Sequence, residues 1–186
     1  MSKDCFFGYG SLVNRSTHDY QDCKPAVLTG WRRVWRHTDL RPAAFLTSVR
    51  AEGSEIEGLT ALVPNGDWKA LDAREYAYSR SDIAHQLRHQ AIERQVVQVY
   101  AIPEGAHGTP DERHPILLSY LDVVVQGYLR EFGETGVARF FETTDGWDAP
   151  VRDDRRDPVY SRHRPLSRDE SDLVDQYLKA LAMRII

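Results

Sequence analysis

Cysteine is scarce in this 186-residue chain: Cys5 and Cys23 alone are too few for a disulfide framework. No apolar run approaches the roughly 20 residues needed to cross a bilayer, and no basic flank leads into an apolar stretch of signal-peptide length. These absences predict a soluble protein in a reducing, cytoplasmic setting, with no membrane partner. An excess of one charge is missing as well. With 24 basic and 28 acidic residues the net charge is −4, which argues against a nucleic-acid binder, since such proteins rely on a basic footprint. A small soluble ligand suits the composition better. Nothing reads as a linker, an internal repeat or a low-complexity tract, so 1–186 is expected to be one domain around one sizeable core.

What is present starts with Phe6-Phe7-Gly8-Tyr9-Gly10-Ser11-Leu12, an apolar strand running into a glycine-serine turn. Gly8 and Gly10 remove side chains where backbone would approach a ligand. A positive φ at Gly10 would align successive N–H groups into a nest for a carboxylate, a phosphate or an oxyanion. An ordinary strand-ending turn has the same composition, so the turn alone leaves both readings open. Two sharper readings fail. A dinucleotide fingerprint needs a third glycine where Val13 stands, together with an acidic strand end about twenty residues on. A serine nucleophile elbow needs glycine two residues either side of the serine, where this chain has Tyr9 and Val13 around Ser11.

Further along, a strand is expected to resume at Ala26-Val27-Leu28. Gly30-Trp31-Arg32-Arg33-Val34-Trp35-Arg36-His37 reads as a strand with Trp31, Arg33 and Trp35 on one face, rather than as a clamp for nucleic acid. The β-rich runs 43–49 and 56–63 flank the polar 52–55, which predicts an antiparallel hairpin. Asn65-Gly66-Asp67 supplies a turn and a cap for a short helix in which Trp68, Leu71 and Glu75 share a face. That face carries a carboxylate inward, where burial would raise its pKa and make it a base near neutral pH. The plainer alternative pairs Glu75 with an arginine such as Arg74 or Arg80. Residues 81–93 are ambiguous between helix and strand. His85 and His89 at i, i+4 could share a metal on a helix, but Gln86 stands where the metalloprotease pattern needs glutamate, so no metal is expected.

Residues 96–102 form a strand ended by Pro103, and Ile116 to Phe132 show 3.6-residue periodicity stopped by Gly133. A second short helix is expected over 137–141. The stretch 144–165 reads as a charged loop around Trp147 and Tyr160, in which Arg155, Arg156, Arg162 and Arg164 either touch an anionic ligand or are solvated. Ser167 caps a last helix with Leu173, Tyr177, Leu178 and Leu181 inward.

Three of these stretches in order carry a resemblance. Phe7-Gly8-Tyr9-Gly10-Ser11-Leu12, then Gly30-Trp31-Arg32-Arg33, then Leu71-Asp72-Ala73-Arg74-Glu75 with Tyr78 resemble the gamma-glutamyl cyclotransferase family. The likeness is strong over the first half of the chain and weaker through Val97-Gln98-Val99-Tyr100 and from Tyr120 to Gly127. It implies an α+β fold, a small antiparallel or mixed barrel-like β-sheet with flanking α-helices. It also implies an intramolecular reaction in which the α-amine of a gamma-glutamyl compound attacks its own γ-carbonyl, releasing 5-oxoproline and an amine without metal or cofactor. Glu75 falls on the family's catalytic glutamate, and substrate contacts fall on Tyr9, Gly10, Ser11, Leu12 and Tyr78. Two departures stand out: many members have asparagine between the serine and Leu12, and many have glycine where this chain has Tyr76. These imply an altered leaving-group side, with short gamma-glutamyl amino acids or amines preferred over glutathione. A binding or interaction domain that keeps the fold without turnover is the alternative, and a metal hydrolase is more distant.

Overall fold

The computed structural model describes residues 4–89, 96–103 and 105–186. Its centre is the strand β1 (Cys5–Gly8), whose first three residues are buried, as expected of an apolar run covered on both faces. β1 pairs antiparallel with β3 (Phe45–Leu62) and parallel with β6 (Val97–Ala101). β2 (Lys24–Arg36) lies on the far side of β3, and β4 (Ser79–Asp82) lies on the far side of β6. The outer edge of β2 is shared: β5 (Leu87–His89) takes residues 26–28, and the two-residue β8 (Thr144–Asp145) takes Arg33 and Val34. The result is a curled, half-barrel mixed sheet. A second small sheet pairs β7 (Ile116–Leu117) with β9 (Val151–Arg152) in parallel. The class is α+β, as the sequence predicts.

One strand expectation is corrected. The runs 43–49 and 56–63 do not fold back on each other but form the single strand β3, antiparallel to β2 over its whole length. The polar residues 52–55 are taken up in a bulge, where one residue of β2, Gly30, faces four of β3 between Trp31↔Arg50 and Thr29↔Glu55. An equally long partner strand lets a bulge absorb what would otherwise be a turn. Trp31, Arg33 and Trp35 do share the inner face, at 3%, 1% and 0% exposure. Buried Arg33 is held by its two terminal nitrogens, which donate to the Tyr128 hydroxyl (2.6 Å), the Glu57 carbonyl (2.7 Å) and the Thr143 hydroxyl (2.7 Å), while its Nε has no hydrogen-bond partner.

Among the described residues three α-helices flank the sheet: α1 (Trp68–Arg74), α2 (Leu118–Glu142) and α3 (Arg168–Ala180). Asp67 caps α1 by accepting from the Ala70 N–H. Gly133 interrupts α2 at φ 67°, ψ −172°, a conformation open to glycine and costly for other residues. The expected stop and restart are therefore present as a kink. Ser167 and Glu170 form a capping box on α3. Its inward face differs from the expected set at two positions: Val174 is buried with Leu178, Leu173 and Tyr177 pack partly buried beside them, and Leu181 follows the helix and is 39% exposed. A polar relay ties these parts together. Buried Asn14 donates to the Val123 carbonyl and to Gln126, and Gln126 donates to Glu170.

The ambiguous stretch resolves into β4, a 3₁₀ turn over Ala84–Gln86 and β5, while residues 90–93 lie outside the described residues. His85 and His89 therefore share no helix, which removes the geometry on which a shared metal was considered. Among the described residues no helix is long and apolar enough to cross a membrane.

Candidate active site

A cavity of about 430 Å³ opens beside the end of β1, within the size range of small-molecule sites. Its floor is the chain from Gly8 to Leu12. Ser11–Val13 makes a 3₁₀ turn whose internal bonding begins with the Val13 N–H donating to the Gly10 carbonyl, at 3.0 Å. Gly10 sits at φ −114°, so the expected positive-φ nest is not formed. Glycine is required there for space: a Cβ would lie 2.6 Å from the Tyr120 hydroxyl. The polar donors of the floor are the early N–H groups of the 3₁₀ turn, and the Ser11 N–H faces the Tyr120 phenol.

One side wall is the exit of α1. Glu75 is its C-terminal cap, its N–H donating to the Leu71 carbonyl at 2.9 Å, and its half-buried side chain lines the cavity with Tyr78. The motif Leu71-Asp72-Ala73-Arg74-Glu75 divides its labour. Leu71 is buried in a small core with Phe6, Ala61, Val63 and Tyr100. Asp72 accepts from Arg80 at 2.6 Å and from the Tyr100 hydroxyl at 2.8 Å, which fixes the helix to β4 and β6. Arg80 is thereby committed to Asp72, and Glu75 lines the cavity.

Phenols crowd around this carboxylate. Burial pushes Tyr9 up to about 12, and the nearby charge of Glu75 adds to the rise. Burial likewise holds Tyr78, Tyr100 and Tyr120 well above the usual phenol value, with Glu75 again contributing. All four stay protonated at neutral pH and face the cavity as neutral hydrogen-bonding groups. The Tyr9 hydroxyl donates to the Tyr100 carbonyl at 2.6 Å. Tyr128 steadies the floor from beneath, its hydroxyl 2.9 Å from the Tyr9 carbonyl oxygen.

A further wall is formed by Arg152 of β9 with residues 159–162, where Tyr160 meets Tyr120 edge to face at 5.0 Å. Asp154 and Arg155 hold this wall on α2. Asp154 accepts from the Ser119 N–H and hydroxyl, and Arg155 binds Asp122 through two 2.8 Å bonds. Of the loop arginines, Arg155 is structural and Arg162 reaches the cavity. Tyr76 stands on the rim, 54% exposed, its hydroxyl accepting from Arg41 at 3.1 Å.

Tyr9, Gly10, Ser11, Leu12, Glu75 and Tyr78 thus line one cavity, although 63 positions separate Leu12 from Glu75. The sequence reading missed Tyr100, Tyr120, Tyr160, Arg41 and Arg152 as lining residues. Tyr120 sits in the same periodic stripe as the buried core of α2, and periodicity alone does not separate it from the others. Elsewhere, His37, Asp39 and His114 bring donor atoms within 4.8 Å of one another. That spread exceeds the roughly 3.4 Å edge of a tetrahedral zinc shell with bonds of about 2.1 Å. The two imidazoles are stacked at 4.2 Å, and none of the three residues lines the cavity.

The family model of ChaC-like proteins matches residues 5–111, more than half of the 186. The chain belongs to the ChaC-like family, a gamma-glutamyl cyclotransferase family. The match runs from β1 through α1 to β6 and so includes the floor of the cavity and Glu75, whereas α2 and the β9 wall lie beyond it. In fold, this ChaC-like chain is similar to a gamma-glutamyl cyclotransferase at TM-score 0.57 and 12% identity, covering 92% of this chain and 98% of that one. An uncharacterized protein from Homo sapiens aligns at TM-score 0.58 and 12% identity, covering 92% and 97%. YkqA from Bacillus subtilis aligns at TM-score 0.58 and 15% identity over 74% of this chain and 52% of its own. At such identities the likeness speaks for the fold. No curated protein matches the chain in sequence.

Proposed function

We propose that this cavity converts a gamma-glutamyl compound into 5-oxoproline and a free amine, with 1–186 acting as one domain. The observation that carries the reading is the convergence of the Gly8–Leu12 floor and Glu75 on one cavity within a ChaC-like fold. The α-ammonium of the substrate gives a proton to the Glu75 carboxylate. The freed amine attacks the γ-carbonyl carbon, so that a new C–N bond closes the five-membered ring. The tetrahedral oxyanion is met by N–H groups of the Gly10–Leu12 turn, with Tyr78 completing the contacts to the glutamyl half. As the oxyanion collapses, the original C–N bond breaks and Glu75 returns its proton to the departing amine. The remaining extra proton on the ring nitrogen then passes by way of Glu75 to that amine, which leaves as an ammonium while 5-oxoproline is left as the neutral lactam. One carboxylate serves every transfer, and no group is consumed.

Each part has a scale. Proton transfer by a positioned side chain contributes about 10²–10⁴ in rate, and one oxyanion donor about 10²–10³. Holding the glutamyl chain curled supplies much of the rest, since the reaction is already intramolecular. The phenols suit this task because they are polar without being charged, and leave Glu75 as the carboxylate among them.

The test is 5-oxoproline release from a panel of gamma-glutamyl amino acids, gamma-glutamyl amines and glutathione. Turnover is expected from the wild-type protein. Glu75→Gln, similar in shape but unable to take the proton, should lower kcat by at least about a hundredfold while the variant still melts as the wild type does. A Glu75→Gln enzyme retaining a tenth of kcat would remove Glu75 from the proton-transfer role.

A further inference from the structure

We propose that Arg152 and Arg162 form a cationic subsite for a carboxylate on the leaving half of the substrate, so that gamma-glutamyl amino acids are taken in preference to gamma-glutamyl amines. This rests on the reading of the cavity as a gamma-glutamyl site and names the chemistry of its other end. The first observation is placement. Both arginines line the cavity from β9 and residues 159–162, elements separate from the α1 exit that supplies Glu75.

The second observation is that these two charges are unspent. Several other arginines are matched with carboxylates, Arg15 with Glu131, Arg32 with Asp145, Arg139 with Glu57 and Arg155 with Asp122, and Arg33 and Arg164 are bonded to hydroxyl or carbonyl oxygens. Among the described residues the side chains of Arg152 and Arg162 make no hydrogen bond or ion pair. In a chain of net charge −4, two guanidiniums left without carboxylates on one cavity wall invite an anionic ligand group. Guanidinium suits carboxylate because its planar N–H fork meets both oxygens at once.

The third observation is that the wall is built to stay in place. Asp154 and the Arg155–Asp122 pair fix the backbone between Arg152 and Arg162 to α2. The two guanidiniums are therefore offered from an anchored segment. With the α-amine directed to Glu75 and the γ-carbonyl over the turn, the leaving half extends toward this wall. An α-carboxylate on the leaving amine would then meet the arginines, and an alkylamine would leave them bare.

The experiment compares gamma-glutamyl-alanine with gamma-glutamyl-ethylamide, which differ only by that carboxylate. For the wild-type protein kcat/KM is expected to be at least tenfold higher for the alanine compound. In Arg152→Gln/Arg162→Gln the ratio is expected to fall toward one, and each single variant should fall part-way. Equal use of the two compounds by the wild type would overturn the subsite while leaving the gamma-glutamyl reading standing. A ratio unchanged in the double variant would also overturn it, since the preference would then arise elsewhere. Failure of the wild type to turn over either compound, or any other member of the gamma-glutamyl panel, would overturn both readings together.

Discussion

At Gly10 the missing side chain is space held for another residue's hydroxyl. A Cβ there would lie 2.6 Å from the Tyr120 oxygen, so even alanine forces the phenol or the turn to shift. Gly10→Ala is expected to destabilise the fold by about 1–3 kcal/mol and to reduce kcat/KM at least tenfold, both read on one purified sample by urea denaturation and 5-oxoproline release. Adding Tyr120→Phe removes the atom in the way and should recover much of the lost stability. If it does not, the requirement at Gly10 has another source. The sequence marks Gly10 as special but misassigns the reason, because glycine composition is the same whether the demand is torsional or steric. Glu75 shows the opposite case: its place at the inner end of the short helix is legible, although it caps α1 rather than continuing its face, and its surrounding phenols are not.

Elements place these residues through a few polar ties. α1 is two turns long and too short to hold its own position, so Asp72, bound to Arg80 and Tyr100, sets where Glu75 points. Asp72→Ala should cost about 1 kcal/mol of stability, the scale of a partly exposed ion pair, yet reduce kcat more than its stability loss suggests. A kcat within twofold of wild type would show that α1 needs no such tie. Behind the β9 wall, Arg155→Ala leaves Asp122, whose side chain is 7% exposed, without its cation. The expected loss is about 3 kcal/mol, with recovery in Arg155→Ala/Asp122→Leu, because a buried charge costs most when left alone. These ties join residues far apart in sequence, and ordinary charge patterning gives no sign of which arginine meets which aspartate.

For the whole molecule, buried phenols set an alkaline limit. Tyr9 and Tyr128 are pushed from 10.0 to about 12, burial being the main cause in each. Below pH 10 both remain protonated whether the chain is folded or not, and they contribute nothing to pH dependence. Between about pH 10 and 12 the unfolded chain ionises first, so stability falls, by up to about 3 kcal/mol per phenol for a shift of this size. Urea midpoints measured from pH 9 to 11.5 should stay level and then drop steeply, and Tyr9→Phe should flatten the drop. A midpoint insensitive to pH over that range would mean these phenols ionise without unfolding.

Local chemistry is what the sequence settles alone. Alternation in β2, the apolar run of β1, the Asp67 and Ser167 caps and the break at Gly133 are dictated by side-chain period and backbone preference within a few residues, and each is where the sequence predicts it. The order of motifs also suffices to suggest the family. What required tertiary structure is everything set by long-range pairing. Only the partner strand decides that 43–49 and 56–63 join in one bulged strand rather than a hairpin, since an isolated stretch has the same local signals either way. Only the packing of α2 and the β9 wall over the end of β1 decides that Tyr120, Arg152 and Arg162 face the same cavity as Glu75. A cavity is a property of surfaces brought together, and the contacts that shape it join positions that exert no force on each other until the chain has folded.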